Sequence, residues 1–333
     1  MQKKSVTLKT IAEELNLSVT AVSRALKDGG NISDRTKERV RQAVQRLNYQ
    51  PNAIAESLRC SRTKTLGLVI SDSSLSFFGM LIEGIEGVAS QSGYNIILSH
   101  AGGNRLREME AVRSLAGKRI DGLLLAASTL TAPHYREFLE SFGIPYMFLV
   151  RSPDYPADYI INDNCYGVYE MMKYLIHTGS RKIYLINVSS EISSSRYRRK
   201  GYEDALREEG IAADETWICE AAPTMEAGYQ AMKAIFARDA AADAVYCGCD
   251  LIAIGVMECI FERGLRVPQD VRVASYDDIE FAAYLKVPLT TVRQPKFMIG
   301  ELGARMMIDK LSGESGKPIH IVLKPELILR QST

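Results

Sequence analysis

Apolar residues recur at helical spacing in the first fifty positions of the chain, in three successive groups. Each group would form one face of an amphipathic helix: Leu8, Ile11, Ala12 and Leu15; Val22, Ala25 and Leu26; and Val40, Ala43, Val44 and Leu47. Thr7, Ser18 and Ser33 precede the three groups, and short hydroxyl side chains are good helix N-caps. The pattern predicts helix, tight turn, helix, loop and helix, which is the layout of an all-α helix-turn-helix unit.

Beyond Thr65 the pattern changes to continuous apolar runs that alternate with amphipathic segments. The runs are typical of buried parallel strands: TLGLVIS, YNIILSH, DGLLLAA, PYMFLV, KIYLINV, DAVYCGC and VRVASY. Helices are expected over residues 77–92 and 106–118, and from positions near Asn164, Arg196, Glu226 and Leu251. Two such alternations predict two doubly wound α/β lobes, and the late strands IHIVL and ELILR predict that the chain crosses between the lobes again.

Charge is distributed unevenly between these two regions. Residues 1–65 contain 13 Lys or Arg against 6 Asp or Glu, a net charge of +7, and the remaining residues contain 28 against 34, a net charge of −6. A basic head on an acidic body indicates a polyanionic partner for the head alone. From charge alone, a solvated basic tail remains the alternative.

The outer face of the second predicted helix favours DNA as that partner. Thr20, Arg24 and Lys27 are spaced i, i+4 and i+7, and no acidic residue lies between Ser18 and Lys27. Hydroxyls bind bases or phosphates, an arginine donates a pair of hydrogen bonds to guanine, and Val19 at the helix start could contact a thymine methyl group. An ordinary three-helix bundle is the alternative.

Composition argues against several other classes of protein. No apolar run reaches the roughly 18–20 residues of a membrane span, and the basic N-terminus lacks the apolar segment of a signal peptide. Six scattered cysteines without a C-x-x-C pair indicate a reduced, cytoplasmic setting. There is no H-E-x-x-H motif, no Walker phosphate loop and no G-x-S-x-G elbow. We therefore expect no metal, no cofactor and no catalysis; the alternative is a sugar- or nucleotide-processing enzyme that carries a DNA-binding head.

A short segment, AIAESL, follows Pro51. Asn52 can cap it, and Ile54 and Leu58 are spaced i, i+4. One or two helical turns are unstable alone in water, so the segment would fold only against a partner such as DNA or a second copy of itself. A plain linker is the alternative.

Three stretches together resemble the LacI/GalR family of bacterial transcription regulators: VTLKTIAEELNLSVTAVSRAL, ISDRTKERVRQAVQRLNYQPNAIAESLR and TLGLVI. The resemblance runs through essentially the whole chain. It implies a homodimeric regulator, expected to be a repressor, on a pseudo-palindromic operator in double-stranded DNA. The short segment would then be a hinge helix that wedges Leu58, beside Arg59, into a minor-groove base step. The resemblance places base contacts at Val19, Thr20 and Arg24, phosphate contacts at Thr7, Ser18, Ser23, Asn31 and Tyr49, and further DNA contacts at Leu8 and Asn52.

The resemblance also implies a domain plan. A helix-turn-helix DNA-binding domain would occupy residues 1–50, a hinge helix and linker 51–64, and a periplasmic-binding-protein-like (type I) effector domain 65–333. Lobe 1 is expected at about 65–162 and 293–321, and lobe 2 at about 163–292 and 322–333. In this family a small-molecule effector binds between the lobes; sugars are the commonest effectors, with purines or nucleosides as the alternative.

Ligands of doubly wound folds bind at the carboxyl ends of the strands. The residues that follow the predicted strands therefore provide the candidate effector contacts: Phe77, Phe78, Arg151, Asp163, Arg198, Cys249 and Asp277. The stretches SRYRRKGYEDAL and SYDD resemble family motifs, and this resemblance places Arg198 and Asp277 in the cleft. Facing each other there, an arginine and an aspartate would suit vicinal hydroxyls, and either phenylalanine would stack on a sugar or base ring.

Four of these residues also have a structural alternative. Asp277 could cap the helix that follows it, Arg198 could be a surface cation, and at least one of the two phenylalanines is expected in the core. Asp250 is expected to cap its helix rather than bind ligand. By this resemblance, Cys249 stands where many relatives carry asparagine and Pro223 where some carry an aromatic residue, both near the expected pocket, so no relative's ligand is transferred to this chain.

Overall fold

The computed structural model describes residues 6–26, 32–49, 62–71, 77–126, 133–238, 242–313 and 318–333. The chain divides into two compact units, Met1–Thr63 and Lys64–Thr333. Each unit buries its own apolar clusters, so the two are described separately.

The described part of the first unit consists of helices α1 (Leu8–Leu15), α2 (Val19–Ala25) and α3 (Asp34–Arg46). The three predicted caps are confirmed, because Thr7, Ser18 and Ser33 each accept a hydrogen bond from the backbone N–H three residues further on. Asn16 ends α1 in the left-handed conformation and turns the chain towards α2. The buried core consists of residues from the predicted apolar faces: Ile11, Ala12, Val22, Ala25, Val40 and Ala43. Leu26, which was predicted on the same face as Val22 and Ala25, is 37% exposed.

The second unit contains two sheets, one in each lobe. The sheet of lobe 1 includes the first strand of the unit. Its strands are β1 (Thr65–Ile70), β2 (Asn95–His100), β3 (Gly122–Ala126), β4 (Tyr146–Leu149), β5 (Tyr159–Asn162) and β11 (His320–Leu323). They lie in the order β11-β5-β4-β3-β1-β2, and the paired strands are parallel. The helices of this lobe are α4 (Phe77–Gln91), α5 (Arg105–Gly117), α6 (Pro133–Glu140) and α11 (Lys296–Ser312).

Lobe 2 repeats the plan. Its strands are β6 (Ile183–Asn187), β7 (Ile218–Glu220), β8 (Ala244–Cys247), β9 (Arg272–Asp277), β10 (Thr290–Arg293) and β12 (Glu326–Ile328), in the order β12-β10-β9-β8-β6-β7. Its helices are α7 (Asn164–His177), α8 (Ser193–Glu208), α9 (Met225–Arg238) and α10 (Asp250–Glu262). The pairing of β12 with β10 is antiparallel, and the other pairings in this sheet are parallel.

The chain passes from one lobe to the other between β5 and α7, between β10 and α11, and between β11 and β12. In each lobe the helices cover both faces of the sheet, with separate apolar clusters in lobe 1 and in lobe 2. This arrangement brings the carboxyl ends of the parallel strands of both sheets towards the space between the lobes.

One sequence expectation about a strand is wrong. The run YNIILSH is not a buried strand, because β2 lies at the sheet edge and Leu98 is 43% exposed. The helix expected from near Arg196 begins at Ser193. The helices among the described residues include none that is both long enough and apolar enough to cross a membrane.

Candidate functional site

The predicted DNA contacts of the first unit lie on the outer surface of the three-helix bundle and at its helix ends. On α2, Val19 is 45% exposed, Thr20 and Arg24 are also exposed, and the opposite face of the helix is buried through Val22 and Ala25. Burial would stabilise a valine side chain, yet packing within this unit leaves nearly half of Val19 exposed. The exposed face of α2 therefore presents one apolar, one hydroxyl and one cationic group together.

The remaining predicted DNA contacts have different surroundings. Thr7 and Ser18 are exposed N-caps, Ser23 is half-buried on α2, and Leu8 and Tyr49 are half-buried against the core of the bundle. The other four predicted residues lie outside the described residues: Asn31, Asn52, Leu58 and Arg59.

The second unit has a cavity of about 850 Å³ between its two lobes. Lobe 1 contributes one wall: Ser71, Phe77, Phe78, Gly102, Gly103, Val150 and Arg151. Lobe 2 contributes the other: Val188, Ser189, Ile192, Ser194, Arg198, Glu220, Ala221, Ala222, Pro223, Thr224, Met225, Cys249, Leu251 and Asp277, with Gln294 beyond the end of β10. A cavity of this size accommodates a small organic ligand.

Six of the seven predicted effector contacts line this cavity. The exception is Asp163, which does not appear in the cavity wall; its Oδ1 accepts a hydrogen bond from the Tyr166 backbone N–H at 2.9 Å and caps α7. A carboxylate that follows a strand and precedes a helix can either contact a ligand or cap the helix, and Asp163 caps the helix.

Arg198 is not a surface cation, since it is only 6% exposed. Its Nε donates to Asn164 Oδ1 at 3.0 Å, and its Nη1 donates to the Gly248 carbonyl. The guanidinium carbon lies 3.9 Å from the centre of the Tyr276 ring, a cation–π contact. These contacts fix the guanidinium in one orientation at the cavity wall.

Asp277 ends β9 beside Arg198, with 3.7 Å between Asp277 Oδ1 and Arg198 Nη2. The expectation that this pair faces across the cleft is wrong, because both residues belong to lobe 2. Asp277 does not cap the following 3₁₀ turn either; its Oδ1 accepts from Gln294 Nε2 at 2.6 Å. Burial raises the pKa of Asp277, and the Arg198 guanidinium partly opposes that rise.

The two phenylalanines of α4 contribute to both the core and the cavity. Phe77 and Phe78 meet edge to face, with their ring centroids 5.0 Å apart, and both belong to the apolar cluster of lobe 1. The Lys296 ammonium lies 5.6 Å from the centre of the Phe77 ring. The aromatic rings of the cavity wall therefore come from lobe 1, whereas Arg198 and Asp277 come from lobe 2.

Arg151 and Cys249 complete the predicted set. Arg151 follows β4 and is half-buried, and burial lowers its pKa to about 10, so that it stays charged at neutral pH. Cys249 is the N-cap residue of α10, and burial raises its pKa to about 12, so that it stays a neutral thiol. No group of three or more His, Cys, Asp or Glu side chains in the described ranges is arranged to hold a metal ion.

The sequence did not single out three polar residues that support the cavity wall. Asn164 accepts from Arg198, Gln294 donates to Asp277, and the Lys296 Nζ donates to the Asp277 carbonyl at 2.7 Å. Gln294 follows β10, so the rule of strand ends would have found it had LTTVR been recognised as a strand.

Comparison with known proteins places this architecture. Residues 7–52 match the family described as bacterial regulatory proteins, lacI family, and residues 172–333 match the periplasmic binding protein-like domain. The chain is 34% identical over 328 residues to the HTH-type transcriptional repressor PurR of Vibrio atlanticus (strain LGP32), and the match covers 98% of each chain. It is 33% identical over 326 residues to the ribose operon repressor of Haemophilus influenzae, again over 98% of each.

A solved structure resembles the whole chain as well. The lac repressor dimer bound to operator and the anti-inducer ONPF has a TM-score of 0.90 at 26% identity, and the match covers 99% of each chain. The curated relatives are transcriptional repressors, not enzymes. The chain therefore belongs to the lacI family of bacterial regulatory proteins and is a DNA-binding transcriptional repressor of the LacI type.

Proposed function

We propose that this repressor acts as a homodimer on a pseudo-palindromic operator and responds to a sugar or sugar derivative bound between the lobes of each protomer. The observation that carries the effector proposal is the composition of the 850 Å³ cavity. It combines the buried Arg198 and the partly buried Asp277 beside it on lobe 2 with the aromatic Phe77 and Phe78 on lobe 1.

This combination matches the two sides of a sugar ring. Arg198 offers N–H donors and Asp277 offers carboxylate acceptors 3.7 Å apart, so neighbouring hydroxyls can accept from one and donate to the other. The C–H face of a pyranose or furanose packs against an aromatic ring. The half-buried Arg151 adds a charge that would suit a phosphorylated or carboxylated sugar.

A purine or nucleoside is the second candidate, since the relatives include PurR repressors as well as a ribose operon repressor. A purine is held best between two flat faces, as in base–aromatic stacking. Both cavity aromatics belong to lobe 1, and the described lobe 2 wall carries no aromatic ring where Pro223 lies. This asymmetry favours the sugar.

On the DNA side, α2 would enter the major groove and read bases through Thr20 and Arg24, with Val19 against a thymine methyl group. The phosphate contacts would come from the helix caps Thr7 and Ser18 and from the residues near them. Since phosphate contacts release counterions, we expect operator affinity to fall steeply with salt. A bacterial regulator that binds operator DNA would act in the cytoplasm, where that DNA lies.

The exposed aromatic residues of lobe 2 support a dimer. Phe281 is 60% exposed and Tyr284 is 82% exposed, three residues apart at the 3₁₀ turn Glu280–Ala283. Tyr284 directly follows this turn, so both exposed rings lie within one short segment that a second copy could cover. The structurally similar lac repressor is a dimer on its operator.

The effector would act by favouring one arrangement of the two lobes, since the cavity takes contacts from both. The effector can shift the equilibrium between the two arrangements only by the difference between its affinities for them. Thermal-shift screening of the full chain against D-ribose, D-glucose, ribose 5-phosphate, adenine, guanine and hypoxanthine tests the proposal. Stabilisation by sugars and not by purines supports it, and stabilisation by purines alone would replace it with the second candidate.

A further inference from the structure

A fully buried carboxylate lies directly behind the cavity wall. Asp250 is the first residue of α10 and does not line the cavity itself. It does not cap α10 as expected, because both of its oxygens are turned towards other elements. Oδ2 accepts from the Ile279 backbone N–H at 2.8 Å, and Oδ1 accepts from the Thr291 hydroxyl at 2.7 Å.

These two bonds fix the turn that carries Asp277. The Thr291 hydroxyl accepts from the Asp278 backbone N–H at 3.3 Å while it donates to Asp250, so Asp278 and Ile279 are both connected to the same carboxylate. Asp277 has φ 118° and Asp278 has φ 49°, in the region that residues other than glycine rarely adopt. Such conformations persist only where the surroundings hold them.

The other side of the turn is held by cations. Lys296 Nζ donates to the carbonyls of Asp277 and Asp278 at 2.7 and 3.0 Å. The Asp278 carboxylate accepts from Arg293 Nε and from Arg330 Nη2, each at 2.7 Å. The turn is therefore clamped between these cations and Asp250, and Asp250 is the anchor on the side of α10.

The surroundings of Asp250 make its ionised form costly in the folded state, so stability alone does not explain an aspartate at this position. The Asp277 carboxylate, the Lys296 ammonium and the thiols of Cys247 and Cys249 interact with it from the neighbouring elements. Burial, followed by repulsion from Asp277, raises the pKa of Asp250 to about 7. An ionised carboxylate accepts with both oxygens at once, whereas an asparagine has one acceptor oxygen.

We propose that Asp250 is a positioning residue of the effector site, which holds the strained turn so that Asp277 faces the ligand. The inference rests on the proposed function for the ligand itself. The position of the turn, however, is a property of the free protein, and it can be measured without any ligand.

The test compares the full chain with Asp250→Ala, Asp250→Asn and a control, Asp270→Ala. Asp270 is an exposed carboxylate of the same lobe that binds only Arg266 among the described side chains. Amide exchange at Ile279 should become about tenfold or more faster in Asp250→Ala, because a buried hydrogen bond to a charged group is lost. The asparagine keeps one acceptor and should recover part of the protection, while Asp270→Ala should exchange like the wild type.

Affinity for D-ribose and for ribose 5-phosphate should follow the same order, with a loss of about tenfold or more in Asp250→Ala and partial recovery in Asp250→Asn. If none of the sugars in the thermal-shift screen binds the wild type, the proposed effector class is wrong, and exchange at Ile279 still decides the role of Asp250. Wild-type exchange at Ile279 in Asp250→Ala, or wild-type probe affinity in that variant, overturns the inference.

A pH profile separates an ionisable anchor from a packing residue. The folded state holds the Asp250 proton more tightly than the unfolded chain, because the folded pKa is raised. The resulting loss in the free energy of unfolding is absent below the ordinary aspartate pKa. It grows as pH rises and is complete above about pH 7. Asp250→Asn should lack this loss of stability between about pH 4 and pH 7; an identical profile in wild type and variant would contradict an ionisable anchor at this position.

Discussion

Arg198→Lys is the sharpest test of the role proposed for Arg198 in the cavity, because it keeps the positive charge and removes the planar set of N–H donors. Arg198 Nε and Nη1 donate to two separate acceptors, Asn164 Oδ1 and the Gly248 carbonyl. A lysine ammonium is a single point charge on a flexible stem and cannot reproduce this planar arrangement. At least one buried acceptor is then left without its donor, and the stacking on Tyr276 is lost.

The expected size of the effect follows from those contacts. Loss of one hydrogen bond to a charged group in a buried place costs about 1.5–3 kcal/mol, which corresponds to an affinity loss of roughly 10- to 100-fold if the ligand binds to the same guanidinium. The assays are urea unfolding of the full chain and calorimetric titration with whichever sugar stabilises the wild type. Operator affinity without ligand should change by less than about twofold, since α2 is not involved.

Arg199→Lys is the matched control, since it is the same substitution at the next position of α8. Arg199 is more exposed than Arg198 and pairs with Glu203 and Glu215 on the surface, where such pairs contribute about 0–1 kcal/mol. The reasoning fails if Arg198→Lys binds the sugar as tightly as Arg199→Lys does. Equal stability of the two variants would also contradict the buried hydrogen bonds described for Arg198.

Three further predictions concern other parts of the chain. Gly255→Ala should destabilise lobe 2 by about 1–3 kcal/mol in urea unfolding, because an added Cβ would collide with the backbone of α9, whereas Gly87→Ala, with open space around it, should be neutral or stabilising; equal effects would contradict the packing of α9 on α10. Arg24→Ala should reduce the preference for operator over genomic competitor DNA by about 1–3 kcal/mol in fluorescence anisotropy, and an equal loss on both DNAs would exclude base reading. Asp154→Asn removes the 2.7 Å ion pair with Arg196 that joins lobe 1 to lobe 2, and it should speed effector release by up to about fivefold in stopped-flow experiments at low salt; an unchanged rate would show that the pair does not hold the lobes together.

The periodic parts of the chain are the parts that sequence reasoning predicts best. Apolar spacing predicts the three helices of the first unit, their caps and the central strands. A helix with one buried face and a strand with two buried faces each leave a clear pattern in the sequence. Helix α11 was missed because its pattern is blurred: Ile299 and Met307 are buried, while Phe297 and Met298 are exposed at its start.

The cavity was predictable only in part. The strand-end rule finds Arg151 and Asp277, since it depends on local order along the chain. It cannot distinguish Asp163 as a cap from Asp163 as a ligand contact, because both roles place a carboxylate at the same point in the sequence. The roles of Asn164 and Lys296 depend on partners more than 15 residues away, and spacing does not encode them.

The interleaving of the two lobes has a consequence for synthesis on the ribosome. Lobe 1 receives its strand β11 only at residues 320–323, and lobe 2 receives β12 only at residues 326–328. Neither lobe is complete until these strands have emerged, whereas helices α1, α2 and α3 contact one another locally and are available to fold first. A nascent chain thus presents its DNA-binding helices well before the two lobes around the cavity are complete.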